Sequence, residues 1–274
     1  MRARSISAFV MLWCACGPGD RTPGSGDDGT SPPDGNTTGG GDGGPGEQTF
    51  VYAQTARELY RVDPDTLAIT LVGPFTFTGF AEDITDIAID KNNVMIGISF
   101  GSVYRIDPTT AAATKLSDGL TGDFNGLSFV PASTIGQSGD DVLVGTRNTD
   151  GAVFRVDPMT GSTSQIGNMG GFSSSGDLVS VVGFGTMQTA VTGLGSPDRL
   201  VQLAQQTFTA SPIGNTIGFA DIWGLAFWKG KLFGFTDGGE FVIIDPATGG
   251  GTLVQGGGPA WYGAAVTTLA PVIQ

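Results

Sequence analysis

The chain has 274 residues, with 13 Lys and Arg against 26 Asp and Glu, 46 Gly, 2 Cys and no His. A formal charge of −13 opposes nucleic-acid binding, and the lack of histidine excludes a His general base, a His zinc ligand and a His haem ligand. Apolar residues at 39% and aromatics at 9% suffice for a core in one or two domains.

Residues 1–16 read as a targeting segment. Arg2 and Arg4 make a positive start, Ile6 to Trp13 a short apolar stretch and Cys14-Ala15-Cys16 a small-residue end, too short for a membrane span. The segment resembles a bacterial lipoprotein signal, because Ala15 stands directly before Cys16 and Gly17 follows it. That resemblance implies that Cys16 becomes the lipidated first residue of the mature protein. Trp13 and Cys14 depart from the Leu and small residue such signals prefer, which keeps secretion without a lipid as the alternative. Both cysteines lie in this segment, so the exported domain is expected to form no disulfide.

Residues 17–48 contain no aliphatic or aromatic side chain, and Arg21 is their one basic residue. A stretch of Gly, Pro, Ser, Thr, Asn and acids cannot bury enough surface to offset chain entropy, so a disordered tether is expected. Its root-mean-square reach would be roughly 30 Å.

From Thr49 the chain repeats itself. Leu59-Tyr-Arg-Val-Asp-Pro-Asp-Thr66, Val103-Tyr-Arg-Ile-Asp-Pro-Thr-Thr110, Val153-Phe-Arg-Val-Asp-Pro-Met-Thr160 and Phe241-Val-Ile-Ile-Asp-Pro-Ala-Thr248 align without gaps. Leu200-Val-Gln-Leu-Ala-Gln-Gln-Thr207 is a decayed fifth copy, and the spacings of 44, 50, 47 and 41 residues suit a four-stranded blade. In each unit the alternating run predicts a strand. Asp-Pro-x-Thr predicts the turn that ends it, with Pro presetting φ while Asp and Thr bond nearby amides. Asp63, Asp107, Asp157 and Asp245 are therefore expected to be structural. Three further strands fall into register. One before each unit carries Ala53, Gly97, Gly145, Ala190 or Gly234 where neighbouring backbones could approach closely. An earlier one contains Ile87-Ala-Ile89, Leu127-Ser-Phe129, Val179-Ser-Val181, Leu225-Ala-Phe227 or Ala264-Ala-Val266. A short fourth follows each turn, giving the order a, b, c, d. The excursion Val130 to Gly139 is expected to be a mobile loop.

The repeat region begins with strands b, c and d (Thr49 to Val72) and ends with a lone strand a (Ala260 to Leu269). The two ends can complete one blade together, which makes five and leaves no long exposed edge. Residues 49–274 resemble the bacterial β-propeller repeat proteins whose blades read L-Y-x-[IV]-D-P-x-T-G, similar in appearance to WD40, NHL and quinoprotein-type propellers. The expected fold is all-β, a five-bladed β-propeller closed by its terminal strands. In such propellers strand a lines the channel and the d-to-a loops gather on the face that usually binds ligands.

In register, those loops present Asp83, Asp123, Ser175, Asp221 and Ala260, followed by Thr85, Asn125, Asp177, Trp223 and Tyr262. Asp83, Asp123 and Asp221 could converge on a hard cation such as Ca²⁺ or cap their own turns. No EF-hand or repeat-in-toxin signature supports calcium, and no other cofactor is indicated. Phe75, Phe77, Phe80, Phe172, Phe219, Trp223, Trp261 and Tyr262 could offer platforms to a saccharide or protein, or plug the channel. Arg61, Arg105 and Arg155 occupy one position of strand c, and buried pairing with carboxylates across blade interfaces is the expectation.

The function expected is a lipid-anchored binding or scaffold module of the bacterial cell envelope, at the outer membrane before the inner. It would bind a protein or glycan through Phe75, Phe77, Asp83, Asp123, Asn125, Asp221, Trp223, Trp261 and Tyr262, with no transmembrane span in the mature chain. The alternative is a glycosidase-like hydrolase using paired channel-mouth aspartates, whose separation would set the stereochemical outcome. The sialidase Asp-box, a G-x-S-x-G elbow and a phosphate-binding Gly-rich loop are absent from the sequence.

Overall fold

A computed structural model describes residues 50–193 and 196–273. Cys16 and the expected tether at 17–48 lie outside the described residues. The strands follow in chain order as β1 (Val51–Gln54), β2 (Glu58–Val62), β3 (Ile69–Pro74) and the two-residue β4 (Thr76–Phe77). The second blade is β5 (Asp86–Ile89), β6 (Met95–Ile98), β7 (Val103–Ile106) and β8 (Ala112–Ser117). The third is β9 (Gly126–Val130), β10 (Val142–Thr146), β11 (Ala152–Val156) and β12 (Thr163–Asn168). The fourth is β13 (Ser174–Val181), β14 (Gly185–Ala190), β15 (Arg199–Leu203) and β16 (Ala210–Ile213). The fifth is β17 (Ile222–Trp228), β18 (Lys231–Thr236), β19 (Phe241–Ile244) and β20 (Gly251–Gln255). Last comes β21 (Gly263–Ala265).

Each blade is an antiparallel meander, and β21 completes the first blade by pairing with β1, Tyr52 opposite Ala265 and Gln54 opposite Gly263. The inner strands β21, β5, β9, β13 and β17 neighbour one another in a closed ring. The molecule is a five-bladed β-propeller joined through its two terminal segments. Loops from d to the next a and turns from b to c share one end of the barrel, while the a-to-b and c-to-d turns share the other.

The inner strands are covered on both faces by neighbouring blades, and β5, β9, β13 and β21 are buried throughout, their polar residues included. Each aliphatic side chain so buried contributes roughly 1.5–3 kcal/mol. Outer strands are more open to solvent: β8 exposes Thr114 and Lys115, a charge that protects its edge, whereas β20 exposes Leu253 and Val254 beside Thr252 and Gln255. On blade 2, β4 also lies parallel to β8 and covers part of its edge.

The small residues of strand b act differently from expectation. A Cβ at Gly97 would fall 2.4 Å from Ile106 Cδ1, and one at Gly145 would fall 2.8 Å from the Phe124 ring. Large side chains, not neighbouring backbones, occupy the space that those positions vacate.

The c-to-d turns match the repeat. Asp63 Oδ1 accepts from the amides of Asp65 and Thr66, and Asp107, Asp157 and Asp245 act likewise. These amide bonds hold the Asp63, Asp107 and Asp245 carboxyls below the usual carboxylate range, with the Thr109 hydroxyl contributing first at Asp107. One residue after the Thr, the chain turns left-handed in every blade, at Leu67, Ala111, Gly161, Phe208 and Gly249. The excursion at 130–139 is an ordered 3-10 turn, Ala132–Ile135, with Ala132 and Thr134 buried and the Thr134 carbonyl accepting from Gln206 N. Contact with the fourth blade explains its order.

Candidate functional site: the loop end and the axis

The predicted aromatics divide into two groups. Phe75 (7% exposed) and Trp261 (2% exposed) face the interior, and Trp261 packs edge-on against Tyr60 at 5.1 Å and Phe235 at 5.5 Å. Phe77 is half-buried edge-on against Tyr104 at 5.4 Å, held there by the β4–β8 pairing. Trp223 and Tyr262 remain half-exposed at the loop end, their rings 5.4 Å apart and nearly perpendicular. Phe80 (96% exposed) and Phe100 (76% exposed) project from the same end on blade 2. Phe100 went unmarked in the sequence because it sits in the b-to-c turn, outside the d-to-a loops.

Asp83, Asp123 and Asp221 are all exposed. Asp83 pairs with Arg57, and no group of three or more Asp, Glu, His or Cys side chains that could hold a metal occurs among the described residues. The geometry therefore does not assemble these three aspartates into a calcium site. Asn125 is a bridge between blades, its amide nitrogen donating to the Ser174 carbonyl at 3.1 Å.

The carboxyls that do converge lie deeper. Strand pairing puts Asp86, Gly126, Gly224 and Gly263 at one level of the inner strands. Asp177 joins them, because Asp86 Oδ1 accepts from its own Ile87 amide and Asp177 Oδ1 accepts from its own Leu178 amide, both at 2.7 Å. Asp177 Oδ2 also accepts from Leu225 N and Ala264 N at 3.3 Å each. The Leu127 amide, from the third blade, pulls on both carboxyls. One inward amide from each of the five blades thus points at two aspartates. Inner strands are edge strands, and their inward amides need acceptors. Three glycines at the same level leave room for the two carboxyls: a Cβ at Gly263 would lie 2.2 Å from Asp86 Oδ1.

Burial pushes both carboxyls well above the usual range. At Asp86 the charge of Asp177 adds to this, and at both residues the amides pull the other way. Asp86 Oδ2 is buried and has no hydrogen-bond partner, so no amide offsets charge on that oxygen. Beside the pair, Gln188 Nε2 donates to Thr146 Oγ1 at 2.6 Å and Ser174 Oγ at 2.7 Å. The axis at this level is filled, and ligand access is confined to the ends.

Other carboxyls are shifted at the loop end, Asp198 and Glu82 among them. Asp198 is 2% exposed, and burial, with a smaller push from Asp221, raises it to about 6 against the pull of the Ile222 amide and Ser175 hydroxyl. Glu82 is opposed by burial, yet Lys115, Ser99, Tyr104 and Ser102 together bring it down to about 2. It works as a clasp on blade 2.

Arg61, Arg105 and Arg155 correct the sequence reading. All three are exposed, and none makes an ion pair or hydrogen bond among the described residues. Arg61 lies over the Phe50 ring at 4.2 Å. Alternation along strand c turns these side chains away from the blade interfaces, so the expected buried pairs do not form.

No family model matches the chain, and no curated protein matches it. Among solved structures, it is similar to a symmetrical protein from work on de novo evolutionary emergence shaped by folding constraints, with TM-score 0.50 and 16% identity over 83% of this chain and 100% of that one. It is also similar to a chain of a nidogen/laminin complex, with TM-score 0.52 and 10% identity over 80% and 98%. At such identities the likeness is one of fold alone.

Proposed function

We propose that this chain is a lipid-anchored binding module of the bacterial cell envelope, at the outer membrane before the inner, whose loop end takes a protein or glycan partner. The propeller fold fits a binding or scaffold module. The observation that carries the reading is the aromatic surface at the loop end. Phe80 and Phe100 stand almost free of the protein, and the perpendicular Trp223–Tyr262 pair offers a further apolar face. Exposed aromatics of this kind supply much of the contact energy in recognition. No helix among the described residues is long and apolar enough to cross a membrane, and attachment would come from a lipid on Cys16.

A screen of purified envelope proteins and glycans against the full chain tests the loop end. A partner that binds the native chain and is lost from Phe80→Ala/Phe100→Ala/Trp223→Ala, with the melting temperature unchanged, supports the reading. A partner indifferent to the three changes refutes the assignment of this surface. Labelled palmitate entering the native chain but not Cys16→Ser tests the anchor.

Hydrolysis is the second reading, favoured by Asp198, whose pKa of about 6 beside Asp221 is what a proton donor near a carboxylate requires. Its burial and its bond to Ile222 N turn it away from solvent, which ranks binding first. An activity lost in both Asp198→Asn and Asp221→Asn would reverse that order.

A further inference from the structure

Arginines left unpaired in an acidic protein call for an account. Arg57, Lys91, Lys115, Arg147 and Lys229 each close on a carboxylate, and Arg199 donates to the Asn215 carbonyl. Arg61, Arg105 and Arg155 do neither, although acids outnumber bases two to one. They share one register position. Each faces a hydroxyl residue across the c–d pairing: Thr70, Thr114 and Ser164 respectively. In blade 4 the same pair is Gln202 and Ser211, and in blade 5 it is Ile243 and Thr252.

The surface is hollow at these places. Open grooves of about 490, 430, 510 and 490 Å³ contain Arg61 with Thr70, Arg105 with Thr114, Arg155 with Ser164 and Gln202 with Ser211. They belong to the end of the barrel that holds the a-to-b and c-to-d turns, remote from the aromatic loop end. The recurrence of groove, hydroxyl and cation over three successive blades is a property of the site and not of one side chain.

We propose that these grooves are subsites for an acidic polysaccharide, each guanidinium taking the carboxylate of a uronate unit and the strand-d hydroxyl bonding to the sugar. A guanidinium matches a carboxylate by two parallel N–H···O bonds. Asp107 lines the second groove, and Asp141 and Asp157 line the third. They can accept from sugar hydroxyls, and their charge disfavours a densely charged phosphate polymer. A polymer that repeats its carboxylate along the chain engages several weak subsites at once, which raises avidity without any strong single contact. Blade 4 offers the same groove with a neutral amide, and blade 5 replaces the cation with Ile243. The ring therefore holds three charged subsites, one neutral subsite and one apolar position.

The test is affinity electrophoresis and calorimetry of the full chain with polygalacturonate at low salt, with neutral pullulan and phosphatidylglycerol vesicles as the comparison probes. Retardation by polygalacturonate alone is expected. It should weaken several-fold with each Arg→Gln change, fade with added salt, vanish in Arg61→Gln/Arg105→Gln/Arg155→Gln and survive Trp223→Ala. Glutamine is the residue that blade 4 carries at this position, so the changes suit the repeat. Gln202→Arg, at an exposed site, supplies a gain-of-function arm and should tighten binding several-fold. No retardation, equal retardation of the triple variant, equal binding of pullulan, or arginine-dependent binding to vesicles in place of polygalacturonate would overturn the proposal.

Discussion

Asp86→Asn is expected to stabilise the propeller at neutral pH, because it removes one of two acids buried side by side. The asparagine carbonyl can still accept from the Ile87 and Leu127 amides, and its NH₂ stands where Asp86 Oδ2 has no partner. Both axial carboxyls are raised by burial, so the folded state holds proton that the unfolded chain releases. The stabilising contribution is complete below the ordinary value of 3.8 and is lost as pH rises through the folded pKa. Above 3.8, each pH unit over which the folded pair keeps a proton that the unfolded chain has released costs about 1.4 kcal/mol. The variant should gain almost nothing near pH 4 and progressively more as pH rises, with a slope of up to about 1.4 kcal/mol per pH unit, in guanidinium chloride unfolding followed across this range. Asp198 and Asp237, also raised by burial, titrate in both proteins, so the difference between the two profiles isolates the axial pair. Profiles that run parallel from acid to neutral pH would refute the reasoning.

Two further outcomes follow from the fold. Ala111 holds φ 57° in a turn where blades 3 and 5 use glycine, but its methyl is fully buried, so Ala111→Gly should leave stability within about 1 kcal/mol in thermal unfolding, the relief of left-handed strain offsetting the lost burial. Removing β21 would expose the edge of β1 and take away Ala264 N from the axial carboxyls, and size-exclusion chromatography should then show aggregates in place of the native peak.

Much of the propeller was legible because its local rules repeat: the Asp-Pro-x-Thr turn, the alternation of strand c and the small residue of strand b all recur at one spacing. The terminal strands could be joined by counting alone. The axis escaped notice through a single irregularity. The β13–β14 pairing shifts register between Ser174 and Leu178, so Asp177 aligns with Asp86 and Gly126 and not with Trp223 and Tyr262. An Asp or Gly directly before the first apolar residue of strand a was the signal that could have revealed the level. The strand-c arginines were misplaced for another reason. Their burial depends on which face of the blade is covered, and sequence periodicity gives the alternation without saying which side meets a neighbour.

The sharing of blade 1 between the two ends of the domain bears on biosynthesis. A chain made from its N-terminus presents β1, β2 and β3 early, yet the strand that covers β1 is the last to arrive. Closing so large a loop costs entropy before any pairing rewards it, and topologies built on distant contacts fold slowly. Until β21 is made, the nascent propeller carries one open sheet edge that can recruit another chain. Its passage to the native state should depend on chaperones that shield this edge and on the time that the final strand takes to dock.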